Sequence, residues 1–137
     1  MDSTKTSDYK FTDGLRDGIP IGLGYLSVSF SFGIAAAGKG ISIFSALLIS
    51  MTNLTSAGQL AGLGIIAAGG TLIEMILTQL VINMRYALMS ISLTQKLDSS
   101  FTVGHRLGTS FGMTDEIFAV AAGKKGDINV RYMYGLI

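Results

Sequence analysis

The feature that most constrains this chain is the absence of charge over long stretches of its sequence. No Asp, Glu, Lys or Arg occurs in residues 18–38 or in residues 40–73. In the following stretch, up to Gln95, Glu74 and Arg85 are the only charged residues. A helix needs about 20 apolar residues to cross a bilayer core about 30 Å thick. These stretches therefore predict helices that span a membrane.

The composition excludes several other classes of protein. Only 14% of the residues are charged, whereas a typical soluble domain has about 25%. The chain has no cysteine, which excludes a disulfide-stapled module and a cysteine-ligated metal site. Its net charge of +1 provides no broad basic surface for nucleic acid. We therefore predict no nucleic-acid partner, no metal and no cofactor.

The predicted fold is all-α: a polytopic integral membrane protein with about three to five membrane segments, some of them broken or re-entrant. A polar N-terminal lead-in (1–17) precedes the transmembrane region, and Pro20 can occupy a first helical turn. The expected membrane segments are 18–38, 42–66, 70–95 and 107–123, followed by a polar connection and the start of a further segment in 124–137.

The orientation follows from the cations near the N-terminus. Three of them favour an inside N-terminus by the positive-inside rule: Lys5, Lys10 and Arg16. If residues 42–66 form one full span, Lys96 and Arg106 lie outside. If the segment is re-entrant they lie inside, in better agreement with the rule, and a polar interruption at 112–116 then becomes its counterpart in a repeat.

A cluster of uncharged polar residues interrupts the long apolar stretch. Thr52, Thr55, Ser56 and Gln59 have the spacing of one helical face, and Asn53 lies beside them. Polar groups at this depth need hydrogen-bond partners or a wet cavity. They either hold neighbouring helices together or mark a helix break over 53–64 that binds a solute, as in discontinuous transporter helices.

The few charges within the apolar segments need partners as well. Glu74 and Arg85 lie about 16 Å apart on one helix, too far to pair, and Thr71 and Thr78 extend the face of Arg85. Glu74 can stay hydrated near the start of its segment. Asp115 and Glu116 are the natural partners of Arg85, because an unpaired charge in a membrane is unfavourable. These charges form a structural ion pair, or they meet a zwitterionic solute or carry a proton.

Small residues recur at a spacing of four, which lets helices approach closely in lipid. The repeated glycines are Gly14, Gly18 and Gly22, then Gly58 and Gly62, then Gly104, Gly108 and Gly112. This pattern predicts close helix packing at these positions.

Four short motifs, in order along the chain, resemble those of the AzlC family, the large subunit of a bacterial branched-chain amino-acid exporter. They are Gly14–Gly33 with its Gly-Tyr and Phe-Ser-Phe-Gly steps, Ser56-Ala-Gly-Gln59, Asn83-Met-Arg-Tyr86, and Thr114-Asp-Glu116 with Phe118. The second motif departs from the family's usual Gly-Ala-Ser-Gln. Family members also have further spans, so we expect this chain to be truncated at its C-terminus.

The resemblance implies a function, a partner and a location. It implies export of leucine-, valine- or isoleucine-like solutes, a small AzlD-type membrane subunit as partner, and a multi-pass protein of the bacterial cytoplasmic membrane. We therefore predict a secondary-transporter subunit that works by alternating access. A small-solute channel and a purely structural subunit are the alternatives.

The residue pattern and the resemblance select the same residues for this function: Gln59 with its polar face, Asn83, Arg85, Asp115 and Glu116. We expect Thr55, Ser56, Gln59, Asn83 and Arg85 to contact the solute, and Arg85, Asp115, Glu116 and Glu74 to pair charges or couple protons. An enzyme is not predicted, because His105, the single histidine, lies in a polar connection away from any serine at membrane depth.

Overall fold

The structure, a computed structural model, describes residues 8–137. Those residues form helices and loops without a β-strand, apart from an isolated parallel bridge between Leu97 and Ile128. The helices are α1 (Phe11–Gly38), α2 (Ile43–Thr52), α3 (Ser56–Ala67), α4 (Leu72–Thr94), α5 (Val103–Phe111), α6 (Asp115–Gly123) and α7 (Val130–Leu136). The prediction of an all-α fold is confirmed. Lys5, used above to predict the orientation, lies outside the described residues.

Two of these helices are long and apolar enough to cross a membrane, judged by length and composition. They are α1, with 28 residues, and α4, with 23. Pro20 lies inside α1, so its expected position in a first helical turn is wrong. The helix begins earlier, at Phe11, because the Asp13 carboxylate accepts the Lys10 backbone N–H at 2.9 Å and supports the first turn.

Short helices occur in two pairs, each interrupted by three residues. Residues 53–55 separate α2 from α3, and residues 112–114 separate α5 from α6. The order along the described chain is therefore a long helix, a broken helix, a long helix, a second broken helix and the short helix α7. Both interruptions fall where polar residues enter an apolar segment, at the positions that the sequence singled out.

The chain divides into two compact units, and each long helix contributes to both. The first unit contains residues up to Leu23 and from Tyr86 to the end. Its core surrounds α7: Tyr132 and Met133 are fully buried, together with Ile128 in the preceding loop. The Asp17 carboxylate accepts a hydrogen bond from the Tyr132 hydroxyl at 2.7 Å and forms an ion pair with Lys124 at 2.6 Å.

The second unit contains residues 24–85. Its small core joins Phe32 and Ala36 of α1 to Leu63 of α3. Most of the other large apolar side chains of this unit are exposed, including those of Leu72, Ile76 and Leu80 on α4. Exposed apolar faces of this kind are expected where the solvent is lipid and not water.

Glycines allow α1 and α7 to cross at close range in the first unit. A side chain at Gly14 would collide with the Tyr132 carbonyl oxygen, and one at Gly135 with the Phe11 carbonyl oxygen. A Cβ atom on Gly18 would lie 2.6 Å from the Leu136 carbonyl oxygen. By contrast, Gly22 has open space beside it. The spacing-of-four prediction is therefore confirmed at Gly14 and Gly18 and is wrong at Gly22.

We expect Gly14→Leu to destabilise the protein by about 1–3 kcal/mol, as overpacking usually does, because the new side chain meets backbone atoms of α7. The matched control is Gly22→Leu, on the same helix but in open space. Thermal unfolding of both variants in detergent measures the difference. Equal melting temperatures for the two variants would contradict the close crossing.

Candidate functional site

The interruption between α2 and α3 is held by the side chain of Asn53. Its Oδ1 accepts the Thr55 backbone N–H at 3.2 Å, a local bond that competes with continued helix. Asn53 is extended, with φ −128° and ψ 97°. The run Thr52, Thr55, Ser56, Gln59 is therefore not one helical face, contrary to the sequence analysis, because Thr52 ends α2 and its hydroxyl bonds back to the Leu48 carbonyl at 2.7 Å.

The hydroxyl of Thr55 does not cap the helix that it precedes. It donates to Asn83 Oδ1 on α4 at 2.9 Å, and the structure gives α3 no side-chain cap. Thr114 occupies the equivalent position before α6 and behaves in the usual way, accepting the Ile117 N–H. The first-turn N–H groups of α3, which have no partner inside the helix, therefore lack the usual hydroxyl acceptor.

Gln79 of α4 joins the interruption to the long helix. Its Nε2 donates to the Gly58 carbonyl at 2.8 Å. Its Oε1 accepts from the amides of Asn53 and Asn83, each at 3.2 Å. Gln59 adds a fourth amide, whose Nε2 donates to the Asn53 carbonyl. We call Asn53, Gln59, Gln79 and Asn83 the amide cluster.

Backbone partners fix the orientation of these side-chain amides. A carbonyl such as that of Gly58 can only accept, so the Gln79 nitrogen must face it and the Gln79 oxygen must face Asn53 and Asn83. The Thr55 N–H requires the same orientation of Asn53 independently. The Asn53 carbonyl likewise sets the orientation of Gln59. The donors and acceptors of the cluster are thus mutually consistent.

The cluster retains more capacity to donate than it uses. Among the bonds within residues 8–137, Asn53, Gln59 and Asn83 each donate one of their two amide hydrogens. Gln79 Oε1 has both of its acceptor positions occupied. The remaining donors lie near the uncapped start of α3, where the helix dipole is positive. Such an arrangement suits a group that only accepts hydrogen bonds, above all a carboxylate.

Small residues bring α3 against this cluster. A Cβ atom on Gly58 would lie 2.8 Å from Gln79 Oε1 and 2.9 Å from Asn53 Nδ2, and one on Gly62 would lie 3.4 Å from Gln79 Nε2. Both glycines are buried. The prediction of close packing at Gly58 and Gly62 is confirmed, and the side chains that they approach are those of the cluster.

The structure brings together some of the predicted site residues. Thr55, Gln59 and Asn83 belong to one hydrogen-bonded set, in which Gln59 is 8% exposed. Ser56 is half-buried at the start of α3. Arg85 is exposed on α4, two residues beyond Asn83. Its role in solute contact stays a prediction.

The predicted charge-pairing residues lie at helix ends or on exposed faces. Glu74 is exposed in the first turn of α4, where its N–H donates to the Thr71 hydroxyl at 3.2 Å. Asp115 and Glu116 occupy the first turn of α6, after the Thr114 cap, where the helix dipole favours acidic residues. The pairing of Arg85 with either acid stays a prediction.

Sequence reasoning missed Gln79. It placed Thr71 and Thr78 on the face of Arg85, with Asn83 nearby, whereas the α4 side chains that bond to the interruption and to α3 are those of Asn83 and Gln79. The signal was present, since two amides four residues apart in an apolar segment share a helical face. Without knowledge of the helix break, however, nothing marked that face as the one requiring polar partners.

We expect Gln79→Leu to lower stability by about 1–3 kcal/mol, because two side-chain amides lose their acceptor and the Gly58 carbonyl loses a side-chain hydrogen bond. Gln95→Leu, at an exposed position just beyond α4, is the matched control and should change stability little. Unfolding in detergent, followed by circular dichroism, tests both. An unperturbed Gln79→Leu variant would show that the cluster contributes nothing to the fold.

Comparison with protein-family models gives a match over most of the chain. The model described as AzlC protein matches residues 20–137. No solved structure matches the chain at a significant level.

Curated relatives agree with this match. Inner membrane protein YgaZ of Escherichia coli (strain K12) is 31% identical over 122 residues, 89% of this chain and 50% of the relative. A protein of Archaeoglobus fulgidus named as a membrane protein is 32% identical over 126 residues, 92% of this chain and 54% of the relative. One from Helicobacter pylori (strain J99), named likewise, is 28% identical over 130 residues. The chain thus spans about half the length of these relatives.

Proposed function

The chain belongs to the AzlC family, and from that premise we propose that it is a subunit of a secondary transporter for branched-chain, small apolar amino acids. The family is associated with membrane transport, and the relatives are named as membrane proteins. The proposed subunit works by alternating access as a multi-pass protein of the bacterial cytoplasmic membrane. It assembles with a small AzlD-type membrane subunit.

The observation that carries this proposal is the amide cluster at the interruption between α2 and α3. Hydrogen bonds between polar side chains are one way in which membrane helices are held together. Here four side-chain amides form one hydrogen-bonded set beside the interruption, and one of them, Gln59, is almost fully buried. Discontinuous helices with freed backbone groups are the usual form of a solute site inside a membrane transporter.

The proposed ligand contact follows from the unused donors. The carboxylate of a zwitterionic amino acid accepts the remaining amide hydrogens of Asn53, Gln59 and Asn83 and the first-turn N–H groups of α3. Neutral amides suit a transported solute, because their hydrogen bonds to a carboxylate are weaker than those of a charged donor. Thr55 supports the site by orienting Asn83. Ser56 begins the helix that supplies the backbone donors.

A transport assay with two variants tests this assignment. We expect Gln59→Leu to reduce leucine export from proteoliposomes at least about tenfold, because a carboxylate donor is lost. The matched control, Thr52→Val, should leave export unchanged, since the Thr52 hydroxyl bonds only within its own helix. Both proteins are reconstituted with the small partner subunit, and their folding is checked by melting temperature.

Counterflow separates a carrier from the alternatives. Leucine on the opposite side of the membrane stimulates exchange through an alternating-access carrier, whereas a channel shows no such stimulation. Unchanged export and unchanged apparent affinity in Gln59→Leu would assign the amide cluster to packing alone. An absence of export in the native protein, in the presence of its partner, would refute the transport function itself.

A further inference from the structure

A groove in the first unit lies apart from the amide cluster and has no role in the proposed transport. It has a volume of about 850 Å³ and is lined by residues at or just before the starts of α1, α5 and α7. Charged and aromatic groups dominate its lining: Asp8, Lys10, Phe11, His105 and Arg131. We call it the α1–α7 groove.

Hydrogen bonds within the protein join four of the residues that line the groove. Asn129 Nδ2 donates to the Tyr9 carbonyl at 2.7 Å, and the Val130 N–H donates to the Ser100 hydroxyl at 3.0 Å. The other end of the Asn129 amide accepts the Tyr132 N–H at 2.9 Å and caps α7. The groove is therefore a preformed feature of the unit.

The groove carries an excess of positive charge. Lys10 and Arg131 are both exposed, and within residues 8–137 the structure gives neither side chain a salt bridge. Among the described residues that line the groove, Asp8 is the single carboxylate. Arg131 lies in the first turn of α7, where the helix dipole disfavours a cation. The dipole of α7 therefore does not stabilise the charge of Arg131, whereas an anion bound in the groove does.

An apolar stripe begins at the same groove. Phe11 lines it and starts a run at a spacing of four along α1: Phe11, Leu15, Ile19 and Leu23 are 50%, 47%, 54% and 64% exposed. This spacing keeps the four side chains near one face, over about 18 Å of helix. That length is close to half of the roughly 30 Å hydrocarbon core of a bilayer.

From this juxtaposition we propose that the α1–α7 groove binds the head group of an anionic phospholipid. The lipid phosphate lies between Lys10 and Arg131, and an acyl chain follows the stripe from Phe11 to Leu23. A zwitterionic lipid fits less well, since its ammonium group adds a positive charge to a groove that already has an excess. A free phosphate ester would pair with Lys10 and Arg131, but it would make no contact with the apolar stripe.

Native mass spectrometry of the full chain in detergent tests the proposal by titration with phosphatidylglycerol and with phosphatidylcholine. The native protein should retain phosphatidylglycerol preferentially. Lys10→Gln with Arg131→Gln should weaken phosphatidylglycerol binding roughly 25-fold, about fivefold for each cation, and abolish the preference. Lys39→Gln removes an exposed cation from the loop after α1, outside the groove, and should change nothing.

A variant that binds phosphatidylglycerol more tightly than the native protein distinguishes an effect at the groove from misfolding. Asp8→Asn removes the carboxylate from the groove and should strengthen phosphatidylglycerol binding about fivefold, which a merely damaged protein would not do. Leu15→Ser should weaken the binding of phosphatidylglycerol but leave its preference over phosphatidylcholine. Retention of the preference in the double glutamine variant overturns the proposal. Equal competition by millimolar glycerol 1-phosphate would assign the groove to a soluble phosphate ester and overturn it as well.

Discussion

The second unit depends on the hydrogen bonds that Gln79 makes across a broken helix. A backbone released from helical bonding inside a membrane has no water to bond with, and each unsatisfied group is costly there. Gln59 donates to the Asn53 carbonyl inside the break, and Gln79 donates to the Gly58 carbonyl beside it and orients two further amides. Without such a side chain, an interruption at residues 53–55 would be expected to close into continuous helix.

The two interruptions differ in the hydrogen bond made by the threonine that ends each of them. Each places a threonine immediately before the second short helix of its pair. Thr114 caps α6 in the ordinary way, and the acidic residues that follow it benefit from the helix dipole. Thr55 turns its hydroxyl to Asn83 instead. This difference leaves donors at the start of α3, and it is the physical basis for placing the proposed solute site there and not at α6.

The first unit is organised by a different principle, the close crossing of α1 and α7. Glycines at the crossing bring the two backbones together, and the bonds from Asp17 to Tyr132 and Lys124 secure the contact. Charge is concentrated at this end of α1, beside the start of a long exposed apolar stripe. A membrane protein needs such amphipathic regions where its helices enter the bilayer. The proposed phospholipid site is one consequence of that arrangement.

The sequence by itself determined the class of protein, because uncharged stretches of span length have few other stable outcomes. It also identified polar residues in the right neighbourhood, including Thr55, Gln59 and Asn83. Tertiary structure decided which of them meet. A helical-face argument assumes one continuous helix, and the break at Asn53 changes the direction of every later side chain in that segment. Hence Thr52 separates from Gln59, and Gln79, distant in sequence, becomes the residue that connects the cluster.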